Sequence, residues 1–114
     1  MPFHQKTTSI AAASTNDNLL TGTNYLYMPY HARVDFGLNG DANGTDLVVD
    51  VNSGSDIVAE QFTPNVLDRM PIFPDDYVFS DVVGAGEMLR IRVRNTHAST
   101  ARTIYCGLRI TPLV

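Results

Sequence analysis

Residues 88–94 read Met-Leu-Arg-Ile-Arg-Val-Arg, apolar and cationic in alternation. Successive side chains on a β-strand point to opposite faces, so this run makes one apolar face and one charged face. A helix, at about 3.6 residues per turn, would scatter both sets around its circumference. After a polar stretch at 95–101 the pattern resumes, and Ile104, Cys106, Leu108 and Ile110 share a face. The two runs are expected to pair as an antiparallel hairpin, with Val93 opposite Ile104, Ile91 opposite Cys106 and Leu89 opposite Leu108. A shift of two residues would keep the same parity.

The same period runs through the middle of the chain. Ala32, Val34, Phe36 and Leu38 fall on one side of a strand starting at His31, with Arg33 and Asp35 on the other. Leu47, Val49 and Val51 face inward on a strand at 46–51, with Asp46 and Asp50 outward. Asn39–Thr45, with two Asn-Gly pairs, and Asn52–Ser55 mark turns. Residues 24–28, with Tyr25 and Tyr27 on one side, form a short strand ended by Pro29. Residues 56–62 form another, its inward face open between Ile57 with Ala59 and Val58 with Phe62. Residues 63–76, with Pro64, Pro71 and Pro74, read as a long irregular connection with one helical turn near 65–69. Residues 77–79 make a short strand, and 80–87 a loop.

No stretch of ten residues or more repeats apolar positions at helical spacing. Seven or eight short strands at this turn spacing indicate an antiparallel sandwich or barrel. Residues 1–22, rich in Ser, Thr, Ala and Asn, read as an extended arm with a short strand around 8–12. Its apolar residues are Phe3, Ile10, Leu19 and Leu20. Residues 23–114 form the β-domain. Segments of the arm's composition order only by lying across something else, so deletion of 1–20 is expected to leave the domain folded and to abolish partner binding.

A length of 114 residues suits one domain with a core of its own. One cysteine, Cys106, permits no intrachain disulfide and reads as a buried inert thiol. This points to assembly in a reducing cytoplasm. No run approaches the ~18 apolar residues of a membrane span, and Met1–Lys6 is not followed by an apolar stretch of secretory type. The net charge of −4 argues against a nucleic-acid binder. Seven of the eight basic residues are Arg, the cation favoured at protein interfaces for its planar, weakly hydrated fork.

Arg90, Arg92, Arg94 and Arg102, with Tyr105 among them and Arg109 beyond, are expected on one outer face of the C-terminal hairpin. That face is solvated, a contact surface for carboxylates of another subunit or partner, or, against the acidic net charge and the scarcity of aromatics on it, a nucleic-acid platform. Asp75-Asp76 and the other acids at turns supply the complement if the partner is a second copy. Asp41, Asn43 and Asp46 around Gly44 miss the spacing of an EF-hand, and turn chemistry accounts for them. His4, His31 and His97 are not spaced for zinc with one another or with Cys106. Gly84-Ala85-Gly86 matches no phosphate-binding loop. No catalytic, metal or cofactor site is expected.

Several stretches resemble the small capsid decoration or cement proteins of tailed bacteriophages, in the style of those from aquatic and cyanobacterial phages. They are the polar arm, Ser53-Gly54-Ser55-Asp56, Pro71-Ile72-Phe73-Pro74-Asp75-Asp76, Gly86-Glu87-Met88 running through Arg94-Asn95-Thr96, and Arg109-Ile110-Thr111-Pro112. The resemblance implies a jelly-roll-like all-β sandwich with an extended N-terminal arm, often a homotrimer. It implies a place on the virion exterior, tying neighbouring major capsid subunits together, with no nucleic-acid or membrane partner. Partner-binding residues would then be Phe3, Ile10, Leu19 and Leu20 on the arm, and Arg90, Arg92, Arg94, Tyr105 and Arg109 on the sheet. The alternative is a carbohydrate- or receptor-binding sandwich, with a concave patch of Tyr25, Tyr27, Tyr30 and Tyr77.

Overall fold

The computed structural model describes residues 3–23, 25–41, 46–54, 56–73 and 75–113. Among these residues the regular structure is β throughout. The strands are β1 (Phe3–Ile10), β2 (Thr15–Asn16), β3 (Ala32–Gly40), β4 (Leu47–Ser53), β5 (Asp56–Phe62), β6 (Asn65–Val66), β7 (Tyr77–Val83), β8 (Leu89–Asn95) and β9 (Arg102–Pro112). They build two packed sheets. The first runs β1-β9-β3, and the far edge of β3 is shared by β7 and the two-residue β6. The second runs β2-β8-β4-β5. Every pairing is antiparallel except β3 with β6.

Alternation produces the core directly. Val34, Phe36 and Leu38 of β3, Leu47, Val49 and Val51 of β4, Leu89, Ile91 and Val93 of β8 and Ile104, Cys106, Leu108 and Ile110 of β9 are buried in one cluster between the sheets. The all-β sandwich expected from the sequence is the observed architecture.

The expected C-terminal hairpin is not. β8 pairs with β4, setting Val93 against Val49 and Ile91 against Val51. β9 lies in the other sheet between β1 and β3, with Leu108 opposite Phe36. The two strands therefore face one another across the core. Alternation reports only which side chains point inward, and both arrangements satisfy it. The connection at 96–101 is long enough to carry the chain between sheets.

The N-terminal segment is also more integrated than an arm. β1 pairs with β9 over eight residues, Phe3 with Arg109 through Ile10 with Arg102. Beyond β2 the chain runs along the open edge of β8. The Leu19 amide donates to the Ile91 carbonyl at 2.9 Å. The Asn18 side chain stands in for a strand residue, donating to the Leu89 carbonyl at 2.9 Å and accepting from the Ile91 amide at 3.3 Å. Leu19 and Leu20 are fully buried beside Met28. Lys6 points inward from the edge strand and donates to the Leu19 carbonyl at 2.9 Å. An inward-facing lysine on a sheet edge discourages pairing with another chain.

Three local expectations are corrected. Residues 25–28 make one isolated bridge, Tyr27 to Met88, in place of a strand, and Asn24 lies outside the described residues. Near 65–69 the chain makes the short parallel β6 and no helical turn, with Asp68 at φ 46°. β7 continues through Ser80 and Asp81 to Val83, because pairing with β3 holds it extended. In β5 a bulge resolves the open choice of faces. Gln61 sits at φ 53°, Val58, Ala59 and Phe62 pack partly on the core, and Ile57 remains exposed.

Candidate binding surfaces

The nine residues expected to bind a partner separate into three groups. Ile10, Leu19 and Leu20 are 2%, 1% and 0% exposed, so they belong to the chain's own core and cannot reach a partner. Burying apolar surface within the domain outcompeted the arm expected at these positions. Phe3, on the outer side of β1, stays exposed. The remaining five split between the two sheets: Arg90, Arg92 and Arg94 project from β8, while Tyr105 and Arg109 belong to β9 on the opposite side of the sandwich. Arg102, expected on the same face, also lies on β9 and pairs with Asp46 at 3.0 Å.

On the first sheet the outer side is covered by the connection from β6 to β7. Two outward positions are glycines, Gly37 on β3 and Gly107 on β9. A Cβ at Gly37 would sit 2.7 Å from the Pro71 Cβ and 2.9 Å from the Tyr77 ring, and one at Gly107 would meet the Tyr77 hydroxyl. The glycines thus make the groove in which Tyr77 lies. The connection is pinned at Asp76. Its carboxylate accepts from Arg69 Nε and Nη2, each at 3.2 Å, from the Ile72 amide at 2.9 Å and from Asn39 Nδ2 at 3.4 Å. The Arg69 guanidinium, with the Ile72 and Asn39 donors, holds this carboxyl below the usual carboxylate range. Phe73 stacks edge-on with Phe3 and Tyr77, at 6.0 Å and 5.2 Å between centroids. Arg109 lies 4.3 Å over the Phe73 ring and 3.9 Å from Asp35. Tyr105 donates to Asp68 at 3.2 Å, which raises its hydroxyl pKa.

Tyr105 and Arg109 are therefore committed largely to their own domain. Sequence reasoning missed Arg69, Asp76 and Tyr77 as the parts that build this face. The signal for them was the pair of glycines interrupting two otherwise apolar-alternating strands.

On the second sheet the outer side is open. Arg90, Arg92 and Arg94 line a cleft of about 320 Å³ together with Asp50, Ile57 and Glu60. Asp50 lies directly across from Arg92 in the ladder. Its Oδ1 instead accepts from the Gln61 amide at 2.8 Å, holding the bulge of β5. Arg92 has one ion pair, to Asp17 at 3.9 Å, whose carboxylate is 83% exposed. Arg90 Nε donates to the Asp17 carbonyl at 3.2 Å. Arg94 makes no ion pair among the described residues.

Asp41 Oδ2 accepts from the Thr103 amide and Asp46 is held by Arg102, so both carboxylates of the acidic turn serve the fold. Asn43 and Gly44 lie outside the described residues. No group of three or more His, Cys, Asp or Glu placed to hold a metal occurs among the described residues. Burial pushes the Cys106 thiol up to about 12, leaving it protonated at neutral pH. The four tyrosines of the expected sugar-binding patch do not stack on one another among the described residues. Tyr25 packs on His4 at 5.7 Å, Tyr30 packs on the core, Tyr27 is exposed, and Tyr77 lies in the glycine groove.

No protein-family model matches the chain, and no curated protein is similar enough to it to count as a relative.

Proposed function

We propose that this chain is a structural protein that binds other proteins through the outer sides of its sandwich, and specifically a decoration or cement protein of a phage capsid. In this reading it sits on the virion exterior, after synthesis in the host cytoplasm, and ties neighbouring major capsid subunits together as a homotrimer. The observation that carries the proposal is the face built over the first sheet. Phe3, Ile72 and Phe73 remain 52%, 52% and 37% exposed there. They are nonetheless held by stacked rings and by the Asp76 pin. Aromatic rings and arginines fixed in place are what protein interfaces favour, because little side-chain freedom is lost on binding.

The strand orders support the fold implied by the resemblance. The orders β1-β9-β3 with β7 beside β3, and β2-β8-β4-β5, are compatible with two interleaved Greek keys, which supports reading the sandwich as a jelly roll, a frequent capsid architecture. Three linked copies would also engage a shell together, raising avidity by a factor on the order of 10² over a single contact.

The test is co-sedimentation of purified protein with heads assembled from a major capsid protein encoded in the same genome, with solution mass measured in parallel. Saturable binding, weakened by Ile72→Asp without a change in thermal midpoint, is the expected result. Failure to bind such heads would overturn the capsid reading, and a monomeric mass at working concentration would remove the trimer.

A further inference from the structure

We infer that the cleft on the outer side of the second sheet receives an extended acidic peptide segment, with a carboxylate on every second residue, one over each of Arg90, Arg92 and Arg94. This rests on the reading that the partner is a protein, and it names the part of that partner which the second sheet recognises. Alternate residues on a strand recur at about 6.8 Å along one face. The three arginines therefore project from one face of β8 at that backbone repeat, and a ligand with the same repeat can meet all three. An extended peptide laid along β8 has it by construction. The guanidinium fork then adds geometry to charge, since it can meet a carboxylate with two parallel hydrogen bonds.

The row is also left available by its surroundings. Asp50, the acid closest in register, is occupied by the Gln61 amide. Asp17 meets Arg92 only at 3.9 Å and is itself solvated, a contact that an incoming carboxylate can replace at little cost. Arg90 is held at its base by the Asp17 carbonyl, so part of the row is ordered before binding. Two features favour a peptide over a nucleic acid. Among the described residues no aromatic ring lines the cleft to stack on bases. Asp50 and Glu60 also line the cleft, and their negative charge weighs more heavily against a ligand charged at every unit than against one charged at every second.

The experiment is fluorescence anisotropy at low ionic strength on the full chain. The probes are a labelled peptide with Asp at three alternate positions separated by Thr, a peptide of the same composition with its three Asp contiguous, and an oligothymidylate of matched charge. Saturable binding of the alternating peptide is expected, falling with added salt. It should weaken on the order of tenfold or more in R90Q/R92Q/R94Q, and measurably in the single variant Arg94→Gln, whose side chain makes no ion pair among the described residues. The inference is overturned if the alternating peptide fails to bind, if the contiguous peptide or the oligonucleotide binds as tightly, or if both variants bind like the parent. Head co-sedimentation of the same variants separates the two proposals. Shell binding without peptide binding overturns the cleft assignment alone, and peptide binding without shell binding overturns the capsid reading alone.

Discussion

The outer sides of the two sheets carry similar residue types in opposite states. On the first sheet, Arg109 is stacked on Phe73, Arg69 is forked onto Asp76 and Tyr105 is bonded to Asp68. On the second, Arg92 has a distant exposed acid and Arg94 has no ion pair among the described residues. The difference lies in the chain crossing each sheet. The connection at 63–76 folds back over the first sheet and supplies rings and an acid. The second sheet has no such cover among the described residues, and Asp50, the acid across from Arg92 in the ladder, accepts from the Gln61 amide at the bulge. A basic residue thus has a structural role where a loop reaches it and stays available for a partner where none does.

Both faces depend on residues 3–20, and removing them is the largest change we expect. The deletion takes away β1, which pairs along β9, and strips Leu19 and Leu20 from the core. Large-to-small changes at single buried leucines already cost about 2–5 kcal/mol. Loss of both leucines together with a whole strand is of the same order as the ~5–15 kcal/mol stability of a typical domain. Circular dichroism of the truncated chain should show no cooperative unfolding transition. A folded product would restore the picture of a separable arm.

The next effect sharpens the contrast between the faces. Gly37→Ala places a methyl group 2.7 Å from Pro71 and 2.9 Å from the Tyr77 ring, so either the loop lifts or the strand shifts. Overpacking of this kind costs about 1–3 kcal/mol. The midpoint of denaturant unfolding should fall accordingly, and shell binding should weaken with it, because Phe73 rides on the same loop. An unchanged midpoint would mean that the loop is not seated in the glycine groove.

Much of this was legible in the sequence, and the limits have physical causes. Alternation located β3, β4, β8 and β9 and their inward residues, since parity is written locally. It could not say which inward faces meet edge to edge and which meet across the core, so β8 and β9 were expected to be neighbours. Leu19 and Leu20 gave no periodic signal. Their burial depends on the Asn18 side chain mimicking a strand along β8, a contact 71 residues away in sequence. The arginines of β8 were found by pattern and remain on one face. Those of β9 were assigned to that face only because the hairpin was assumed. Asp76 was legible only as half of an acidic pair facing a partner; its actual role was not, because Arg69, Ile72 and Asn39 converge on it only once the loop has closed.

Effects of similar size are expected at Asp76 itself. Asp76→Asn removes the charged acceptor shared by Arg69, Ile72 and Asn39, and a lost hydrogen bond to a charged group costs about 1.5–3 kcal/mol. The pH dependence has a definite sign. Folding depresses this carboxyl below its ordinary 3.8, so the native state binds its proton less readily than the unfolded chain. Its stabilising contribution is complete above the unfolded value and is lost as pH falls through the folded one. The parent should therefore lose stability more steeply than Asp76→Asn below about pH 4. Parallel acid limbs in the two proteins would exclude Asp76 as the pin.

The smallest expected change lies on the open face. Arg92→Gln removes one long contact to a solvated acid, and exposed pairs of that kind contribute about 0–1 kcal/mol. Its unfolding midpoint should stay within experimental error of the parent. Arg109→Gln on the covered face removes a cation over a ring and a partner of the buried Asp35, and should lower the midpoint measurably. Equal losses in the two variants would mean that Arg92 is held as firmly as Arg109, leaving no reserve of charge on the second sheet for a partner to use. A silent Arg92→Gln in stability, combined with weaker capture of the alternating acidic peptide, is the pattern that only a binding role produces.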